Sequence, residues 1–373
     1  MTSVKRWLGL AVWWVACMGM EGAAAQGALR IGMVAGFTGP EAVPVQESAD
    51  GARLYFDAVN AQGGIRGQRI ELLTQDDRHD PAAAAAQARS LASQGVLALM
   101  LSRGTGPTEA LLPVLKAQRL PLLAPATGAV GLREPVQPYV FHLRASYPQE
   151  AERAVRHLAG IGVKRITIVQ VNDAFGNDAG KGAIRGLDAV RLRALSHLRF
   201  DGRRPDLAPT MHAIARAGIE AVVLIGPGAA VVEGVNALRA AGSTAHVATL
   251  SNNATGEFVK RLGANARGVI VTQLFPYERS TAHPLVREAL GLARAAGRGE
   301  LTPAQLEGFA AAKLVVEALR RAGKDLTRDG VLKALEGPRI DLGGLQLRYG
   351  DKDHGGLSFT DVSIIGPDGK FWR

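Results

Sequence analysis

A hydroxyl side chain stands between two glycines where a predicted strand passes into a predicted helix. The residues are Gly104, Thr105 and Gly106, and they precede Pro107, a residue type that favours the first turn of a helix. Glycines let a ligand approach the backbone, and the free N–H groups at a helix N-terminus attract anions. An ordinary helix cap explains the same residues. The segment therefore predicts either a cap or an anion site.

Three further loops lie in equivalent places, each directly after a predicted strand. They are residues 125–128, 173–176 and 251–253, with the sequences PATG, DAFG and SNN. In open parallel sheets, ligands bind beyond the carboxyl ends of the strands, close to helix N-termini. We therefore expect the four loops to face one cleft.

Sequence patterns for catalysis, metal binding and nucleotide binding are missing. The sequence contains no G-x-S-x-G or Walker A motif, and its eight histidines share no metal-ligand spacing. Asp76 and Asp77 follow a predicted strand and precede an Asp-Pro pair, so we interpret them as turn and capping residues. We predict a protein that is not an enzyme and that uses no cofactor or metal.

Residues 1–25 have the pattern of a secretory signal peptide. Lys5 and Arg6 precede an apolar stretch, and three alanines ending at Ala25 form a small-residue cleavage site. Retention as an uncleaved anchor and lipidation at Cys17 are the alternatives. Cys17 is the single cysteine of the 373 residues, so cleavage leaves no disulfide and no thiol ligand. We predict export to the periplasm.

The formal net charge of +10 raises the question of a nucleic-acid partner. Nucleic-acid-binding surfaces combine clustered basic residues with aromatic ones, whereas the arginines here are scattered along predicted helices. No stretch after the signal peptide is apolar and long enough to span a membrane. We therefore assign the charge to a solvated surface and predict neither a nucleic-acid partner nor a membrane span.

The elements that would position these loops alternate between strand and helix, in one series before residue 148 and a second after it. This alternation predicts an α/β protein with two similar lobes, each a parallel sheet covered by helices. A strand pair is predicted at 361–372 around a Pro-Asp-Gly turn. Strands are predicted at 29–37, 69–77, 96–101, 119–127, 164–171, 219–226, 246–251 and 266–275, and helices at 48–64, 81–95, from Pro107, and at 149–162, 172–188, 228–242, 302–323 and 327–337.

Several segments resemble the Leu/Ile/Val-binding protein family, the type I solute-binding proteins of branched-chain amino-acid ABC importers. The resemblance rests on IGMVAGFTGPEA, DGARLYFDAVNAQGGIRGQRIELLTQDDRHDP, APATGA and NDAFG. The motifs T-G-P, N-x-x-G-G-I-x-G-x-x-I and D-D-x-x-x-x-P are specific in combination. The resemblance implies the periplasmic binding protein type I fold, two Rossmann-like lobes that are joined by three hinge crossings and close on a ligand.

Both implied lobes are discontinuous, because the chain crosses between them three times. We expect residues 26–145 and 274–346 to form the N-terminal lobe, and residues 146–273 and 347–373 the C-terminal lobe. The implied function is that of a monomer that captures a small carboxylate, amide or amino acid and delivers it to an ABC permease in the inner membrane. A ligand-sensing subunit of a signalling or regulatory system is the alternative, because it uses the same fold.

The resemblance also assigns residues to the cleft. It places a ligand carboxylate at Thr105, and it places Phe175 over the apolar part of the ligand. A family hydroxyl falls at Gly128, where neighbouring Thr127 is a substitute. The expected ligand-binding residues are Thr105, Gly106, Ala126, Thr127, Gly128, Tyr147, Phe175, Ser251 and Asn252.

The acidic residue that pairs with a ligand ammonium group in the family falls near Ser251, where this sequence has no acid. A buried ammonium group without a carboxylate costs several kcal/mol. We therefore expect a carboxylate or amide ligand that lacks a free ammonium group. Arg144, at the first expected crossing, keeps two interpretations: an ion pair with an acidic residue in the hinge, or a contact with an anionic ligand.

Overall fold

The computed structural model describes residues 27–39, 41–324 and 326–373. The predicted signal peptide, Cys17 and the predicted first residue of the mature chain lie outside the described residues. The described part of the chain is α/β, with helices packed on two mainly parallel sheets.

The first sheet is parallel and has five strands. Strand β1 is apolar apart from the exposed Arg30, as is typical of a strand covered on both faces. Asp80 caps the second helix by accepting a hydrogen bond from the N–H of Ala83, with Pro81 at the first helical position. The elements are β1 (Leu29–Ala35), α1 (Ala42–Ala61), β2 (Ile70–Asp76), α2 (Pro81–Ser93), β3 (Ala98–Met100), α3 (Thr105–Gln118), β4 (Leu122–Leu123) and β5 (Val140–Phe141), in the order β2-β1-β3-β4-β5.

A second strand-and-helix series follows directly. Ser146 begins its first helix with a capping box, in which the Ser146 side chain and that of Gln149 each accept from the other's backbone N–H. The elements are α4 (Tyr147–Gly160), β6 (Ile166–Val171), α5 (Ala174–Ala189), β7 (His197–Phe200), α6 (Ala208–Arg216), β8 (Ala221–Ile225), α7 (Gly228–Ala240), β9 (His246–Thr249), α8 (Gly256–Leu262) and β10 (Ile270–Gln273).

The rest of the chain serves both sheets. Its helices α9 (Pro284–Ala295), α10 (Pro303–Ala322) and α11 (Arg328–Leu335) contribute to the same apolar core as β1 and α1, and so does the hairpin of β11 (Ile340–Asp341) and β12 (Gln346–Leu347). The last hairpin, β13 (Asp361–Ile365) and β14 (Phe371–Trp372), joins the second sheet through an antiparallel pairing of β13 with β10. That sheet has the order β14-β13-β10-β9-β8-β6-β7.

Helices α1 and α10 touch through two glycines. A Cβ atom on Gly51 would lie 1.9 Å from the carbonyl oxygen of Gln305, and one on Gly308 would lie 1.8 Å from that of Ser48. These separations are far below van der Waals contact, so any larger residue would push the two helices apart.

Most predicted elements are present, with differences at their ends. The prediction that the first helix begins near Ser48 is wrong, since α1 begins at Ala42; Pro44 then lies in the first turn, where its missing N–H removes no hydrogen bond. Helix α3 likewise begins at Thr105 rather than at Pro107. Strands β5, β7, β11 and β12 and helices α6 and α8 were not predicted, because they are short. Helix α9 was missed although Pro284 stands in its first turn.

Candidate functional site

The hydroxyl of Thr105 lies beside a second hydroxyl rather than at the cap of its own helix. Gly104 is the residue that caps α3; its φ of +87° and a would-be Cβ only 2.4 Å from His79 restrict the position to glycine. Thr105 is the first residue of the helix, and its Oγ1 is 3.4 Å from Oγ1 of Thr127 in the loop after β4. Both threonines are buried, so the sheet edge carries a pair of sheltered hydroxyl groups.

Two aromatic rings extend this group. The ring centroids of Tyr147 and Phe175 are 4.5 Å apart, and burial raises the pKa of the Tyr147 phenol, which therefore stays protonated. The N–H of Tyr147 donates to the carbonyl of Gly128 at 2.9 Å. A Cβ on Gly128 would lie 2.5 Å from that nitrogen, so the backbone of α4 occupies the space that a side chain at this position would need. We call Thr105, Thr127, Tyr147 and Phe175 the hydroxyl–aromatic cluster.

Arg144 joins this cluster to the second sheet. Its guanidinium lies 5.5 Å from the centre of the Tyr147 ring, and its Nη2 donates to Oε1 of Glu150 at 2.7 Å and to Oγ of Ser251 at 2.9 Å. Oε2 of Glu150 accepts from the N–H of Ser251 at 3.1 Å and from the hydroxyl of Thr272 at 2.8 Å. Arg144 and Glu150 are both fully enclosed. Of the two interpretations of Arg144, the ion pair with an acidic residue is the one observed.

A cavity opens next to Ser251, where the loop after β3 meets the loop after β9. Arg103 connects its two sides: its Nε lies 2.7 Å from Oε2 of Glu41, and its Nη2 donates to the carbonyl of Asn252 at 3.2 Å. Part of the wall is apolar and comes from residues such as Leu274 and Phe275. The polar lining residues, which we call the charged cavity, are Arg103, Ser251, Asn252, Thr255, Gln273, Glu278 and Glu307.

Two polar atoms of the charged cavity, Oδ1 of Asn252 and Nε2 of Gln273, have no hydrogen-bond partner among the described residues. The Nδ2 of Asn252 faces two acceptors, the carbonyl of Gly226 and Oδ1 of Asn253, so the orientation of that amide is fixed and Oδ1 remains free. Buried polar groups in native proteins almost always find partners. The unpaired atoms are therefore available to water or to a polar ligand.

The cavity also contains acids, which corrects one expectation. Glu278 and Glu307 line it together with Ser251, although neither is near Ser251 in sequence. Burial raises the pKa of Glu278, and Glu307 lies 3.5 Å from Nη1 of Arg144. Acidic side chains from elsewhere in the chain therefore line the same cavity as Ser251. The expectation of a ligand without an ammonium group loses its basis.

The expected ligand-binding residues occupy three kinds of position. Thr105, Thr127, Tyr147 and Phe175 form the hydroxyl–aromatic cluster, with Gly128 behind Tyr147. Ser251 and Asn252 line the charged cavity. Gly106 is exposed on the first turn of α3, and Ala126 is buried, with its N–H donating to the carbonyl of Ser102 at 2.7 Å.

Sequence reasoning missed Arg103, Gln273, Glu278 and Glu307. Arg103 stands in the SRGTG segment itself, where a cation beside a predicted anion site was a usable signal. Gln273 ends β10, Glu278 follows that strand and Glu307 lies on α10, and only the folded chain brings these residues beside the loop at 251.

Asp76 and Asp77 have the turn roles predicted for them. Asp76 accepts hydrogen bonds from the hydroxyl of Thr38 at 2.6 Å and from the N–H of Arg78 at 2.9 Å, and Asp77 accepts from the N–H of His79 at 2.7 Å. Among the described residues, no group of three or more His, Cys, Asp or Glu side chains is arranged to hold a metal ion. No helix in this part of the chain is long and apolar enough to cross a membrane.

Residues 28–358 match the family model described as periplasmic binding protein. The chain belongs to the periplasmic binding protein family. A Leu/Ile/Val-binding protein homolog from Brucella melitensis is 24% identical over 92% of both chains. The structure of a substrate-binding periplasmic protein from Ralstonia solanacearum is 31% identical, with a TM-score of 0.82 over 92% of this chain and 99% of that one.

An extracellular ligand-binding receptor from Verminephrobacter eiseniae is 29% identical, with a TM-score of 0.84 over 93% of this chain and all of that one. The periplasmic binding protein type I fold expected from the sequence is thereby confirmed. Proteins of this family bind their ligands without chemical change, so the prediction that the chain is not an enzyme is confirmed as well.

Proposed function

We propose that this chain is the solute-binding component of an ABC importer, which holds a small amino-acid-like ligand between two lobes and delivers it to a permease in the inner membrane. The observation that carries the proposal is the charged cavity at the junction of the two sheets. Arg103 and Glu307 enter it from the side of the first sheet, Asn252 and Gln273 from the second. A cleft that closes on a ligand needs polar groups from both sides, and some of the groups in this cavity are unpaired.

We propose two lobes with the bounds expected from the sequence. Residues 26–145 and 274–346 form the N-terminal lobe, and residues 146–273 and 347–373 the C-terminal lobe. The packing of α10 on α1 supports the return of the chain to the first lobe. The pairing of β13 with β10 supports its final passage to the second. A monomer with a cleaved signal peptide is the form we propose for the periplasm.

The ligand is proposed to span the hydroxyl–aromatic cluster and the charged cavity. Thr105 and the N–H groups at the start of α3, including that of Gly106, take its carboxylate, because a helix N-terminus favours negative charge. The carbonyl of Ala126 and the hydroxyl of Thr127 add hydrogen bonds, and Phe175 covers the apolar part. Curated relatives are called Leu/Ile/Val-binding proteins, so branched-chain amino acids are the first ligands to test.

The test is a thermal-shift panel on residues 26–373 with branched-chain amino acids, other amino acids, aliphatic carboxylates and amides. A ligand present at about 100 times its Kd stabilises the native state by about 2.7 kcal/mol, which raises the melting temperature clearly. Thr105→Val is expected to weaken a carboxylate-bearing ligand by about tenfold, since a hydrogen bond to a charged group contributes about 1.5–3 kcal/mol. The control is Thr281→Val at an exposed threonine.

Two outcomes would contradict the proposal. Binding that is unaffected by Thr105→Val contradicts the assigned carboxylate position. A panel without any ligand that raises the melting temperature contradicts capture of an amino-acid-like solute. Delivery is tested separately, by uptake of the identified ligand into cells that lack the chain; unchanged uptake would favour a sensing subunit.

A further inference from the structure

A groove that shares no residue with the charged cavity or the hydroxyl–aromatic cluster lies between helix α5 and the edge of the second sheet. Strand β7 is the outermost strand at that edge, where it pairs in parallel with β6. In this register Gln170 of β6 lies beside Arg199 of β7, so the two side chains emerge on the same face of the sheet. We call the polar residues that line this groove the basic groove: they are Gln170, Asn177, Lys181, Arg185, His197 and Arg199.

The spacing of these residues in sequence collects their side chains in one place. Asn177, Lys181 and Arg185 are four residues apart along α5, which puts them on one face of the helix. His197 and Arg199 are two residues apart along β7, which puts them on one face of the strand. Lys181, Arg185 and Arg199 thus bring three positive charges to an open groove of about 500 Å³, and none of the described residues that line it is acidic.

The three cations are not neutralised by neighbouring carboxylates. On the adjacent helix α4, Arg156 pairs with Glu152 at 2.7 Å. No ion pair of Lys181, Arg185 or Arg199 occurs within the part of the chain that the structure describes, although all three side chains are exposed. Like charges that are held together repel one another, so an anion that enters the groove is favoured.

The floor of the basic groove is an ordered polar network. Gln170 is fully buried; its Nε2 donates to Oδ1 of Asn177 at 3.1 Å, and its Oε1 lies 2.6 Å from Nε2 of His197. A Cβ on Gly180 would lie 1.8 Å from that Oε1, so α5 accommodates the buried amide only with a glycine at this position. Because Oδ1 of Asn177 is engaged, its Nδ2 remains as a donor. Burial lowers the pKa of His197 and the positive charge of Arg199 lowers it further, as expected beside a cation without a counterion.

We propose that the basic groove binds a phosphate monoester through Lys181, Arg185 and Arg199. A phosphate monoester carries a charge of about −1.5 to −2 at about pH 7 and has three strong acceptor oxygens, so it matches three cations better than a singly charged carboxylate does. Guanidinium groups donate to phosphate oxygens in pairs, and the lysine ammonium adds a point charge. The ester is either a soluble molecule or the headgroup of a lipid. The site lies apart from the one assigned to the captured solute, so the proposed function stands without it.

The experiment compares phosphate monoesters with singly charged analogues of similar shape. Calorimetry in a phosphate-free buffer of low ionic strength gives Kd for methyl phosphate and for methyl sulfate, because salt screens exposed charges. A second arm measures cosedimentation of the protein with phosphatidylcholine vesicles that contain phosphatidic acid or, as the comparison, phosphatidylglycerol. The two arms distinguish a soluble ester from a lipid headgroup.

The proteins are the mature wild type and two double variants that remove the same charge. Lys181→Gln/Arg199→Gln changes the groove, and Arg89→Gln/Lys116→Gln changes exposed residues of α2 and α3 that do not line it. Thr105→Val is added, because the start of α3 is the other place where an anion is proposed to bind. Melting temperatures without ligand show whether each variant is folded.

We expect the wild type to bind methyl phosphate, the phosphatidic acid vesicles or both, in each case about tenfold or more tightly than the singly charged comparison, because charge-assisted hydrogen bonds strengthen with the charge of the acceptor. Lys181→Gln/Arg199→Gln is expected to weaken that binding by about tenfold or more, since two charged donors are lost. The control double variant and Thr105→Val are expected to bind like the wild type. Binding confined to the vesicles would identify a lipid headgroup, and binding of methyl phosphate a soluble ester.

Four results would overturn the proposal. Absence of binding in both arms would remove the site. Equal binding of the monoester and its comparison, in every arm that shows binding, would remove the selectivity for a doubly charged phosphate. An equal loss in the two double variants would assign the binding to net charge rather than to the groove. A loss in Thr105→Val without a loss in Lys181→Gln/Arg199→Gln would place the anion at the start of α3.

Discussion

Removing the charge of Glu150 should be one of the most destabilising conservative changes in this protein. Its carboxylate is fully enclosed and accepts hydrogen bonds from Arg144, from the N–H of Ser251 and from Thr272, at 2.7, 3.1 and 2.8 Å. Glu150→Gln keeps the shape but places an amide donor among these donors, and it leaves the longer contact with Glu307 as the remaining ion pair of Arg144. Breaking a buried ion pair on one side costs about 3–5 kcal/mol.

The same helix provides a matched control. Glu152 accepts from Arg156 at 2.7 Å, but the two side chains are 28% and 49% exposed. An exposed pair contributes about 0.2–1 kcal/mol, because water and salt screen it. Glu152→Gln should therefore lower the free energy of unfolding by less than about 1 kcal/mol.

The assay is urea unfolding of the mature wild type and both variants, followed by circular dichroism. We expect Glu150→Gln to lose about 3 kcal/mol or more relative to Glu152→Gln. A loss of less than about 1 kcal/mol in Glu150→Gln would refute the reasoning, because the pair would then behave like a solvated one. Ligand binding by Glu150→Gln should also weaken, since Ser251 loses the acceptor that fixes its backbone.

Three further predictions concern packing, an ion pair and pH. Gly51→Ala should lower the free energy of unfolding by about 1–3 kcal/mol in urea titrations, because its Cβ meets a carbonyl of α10 at 1.9 Å, whereas Gly291→Ala on α9, with open space, should be neutral or stabilising. Burial raises the pKa of Glu41, but the Arg103 guanidinium outweighs this effect and holds that pKa below 4.5. The stability that the ion pair contributes is therefore present above about pH 4.5 and is lost on acidification. Arg103→Met should unfold more easily than the wild type at about pH 7, and it should lose less stability towards about pH 3. Burial, assisted by a nearby guanidinium, holds the pKa of His142 well below 6.5, so the stability of the folded state falls below about pH 6.5. In the same titration, His142→Gln should lose less stability than the wild type between about pH 7 and about pH 5. An equal loss in both proteins would contradict this.

Local sequence was sufficient for the buried strands and for the strongly capped helices. The apolar run at Leu29–Ala35 and the Asp80-Pro81 start of α2 each depend on neighbours within a few residues, and both are found where they were predicted. Strand β7 escaped prediction, because it is short and largely exposed. Its place is set by packing on other elements, which local periodicity does not record.

The candidate site divides in the same way. The glycine-flanked Thr105 and the PATG loop were recognisable, because the ends of parallel strands meet at one sheet edge. The acids of the cavity were not, since Glu278 and Glu307 reach the loop at 251 only through the packing of α10 and the segment after β10. The absence of the family's acidic residue near Ser251 was therefore interpreted as the loss of a carboxylate, whereas another part of the chain supplies carboxylates to the same cavity.

The sequence by itself determined the strand–helix alternation, the loops at the strand ends and the family to which the chain belongs. These follow from periodicity, capping residues and motif spacing, all of which act over a few residues. The tertiary structure decided that Arg144 pairs with Glu150, that Arg103 connects the two sides of the cavity, and that carboxylates line it. Those contacts join residues distant in sequence, and their strength depends on burial, which exists only once the chain has folded.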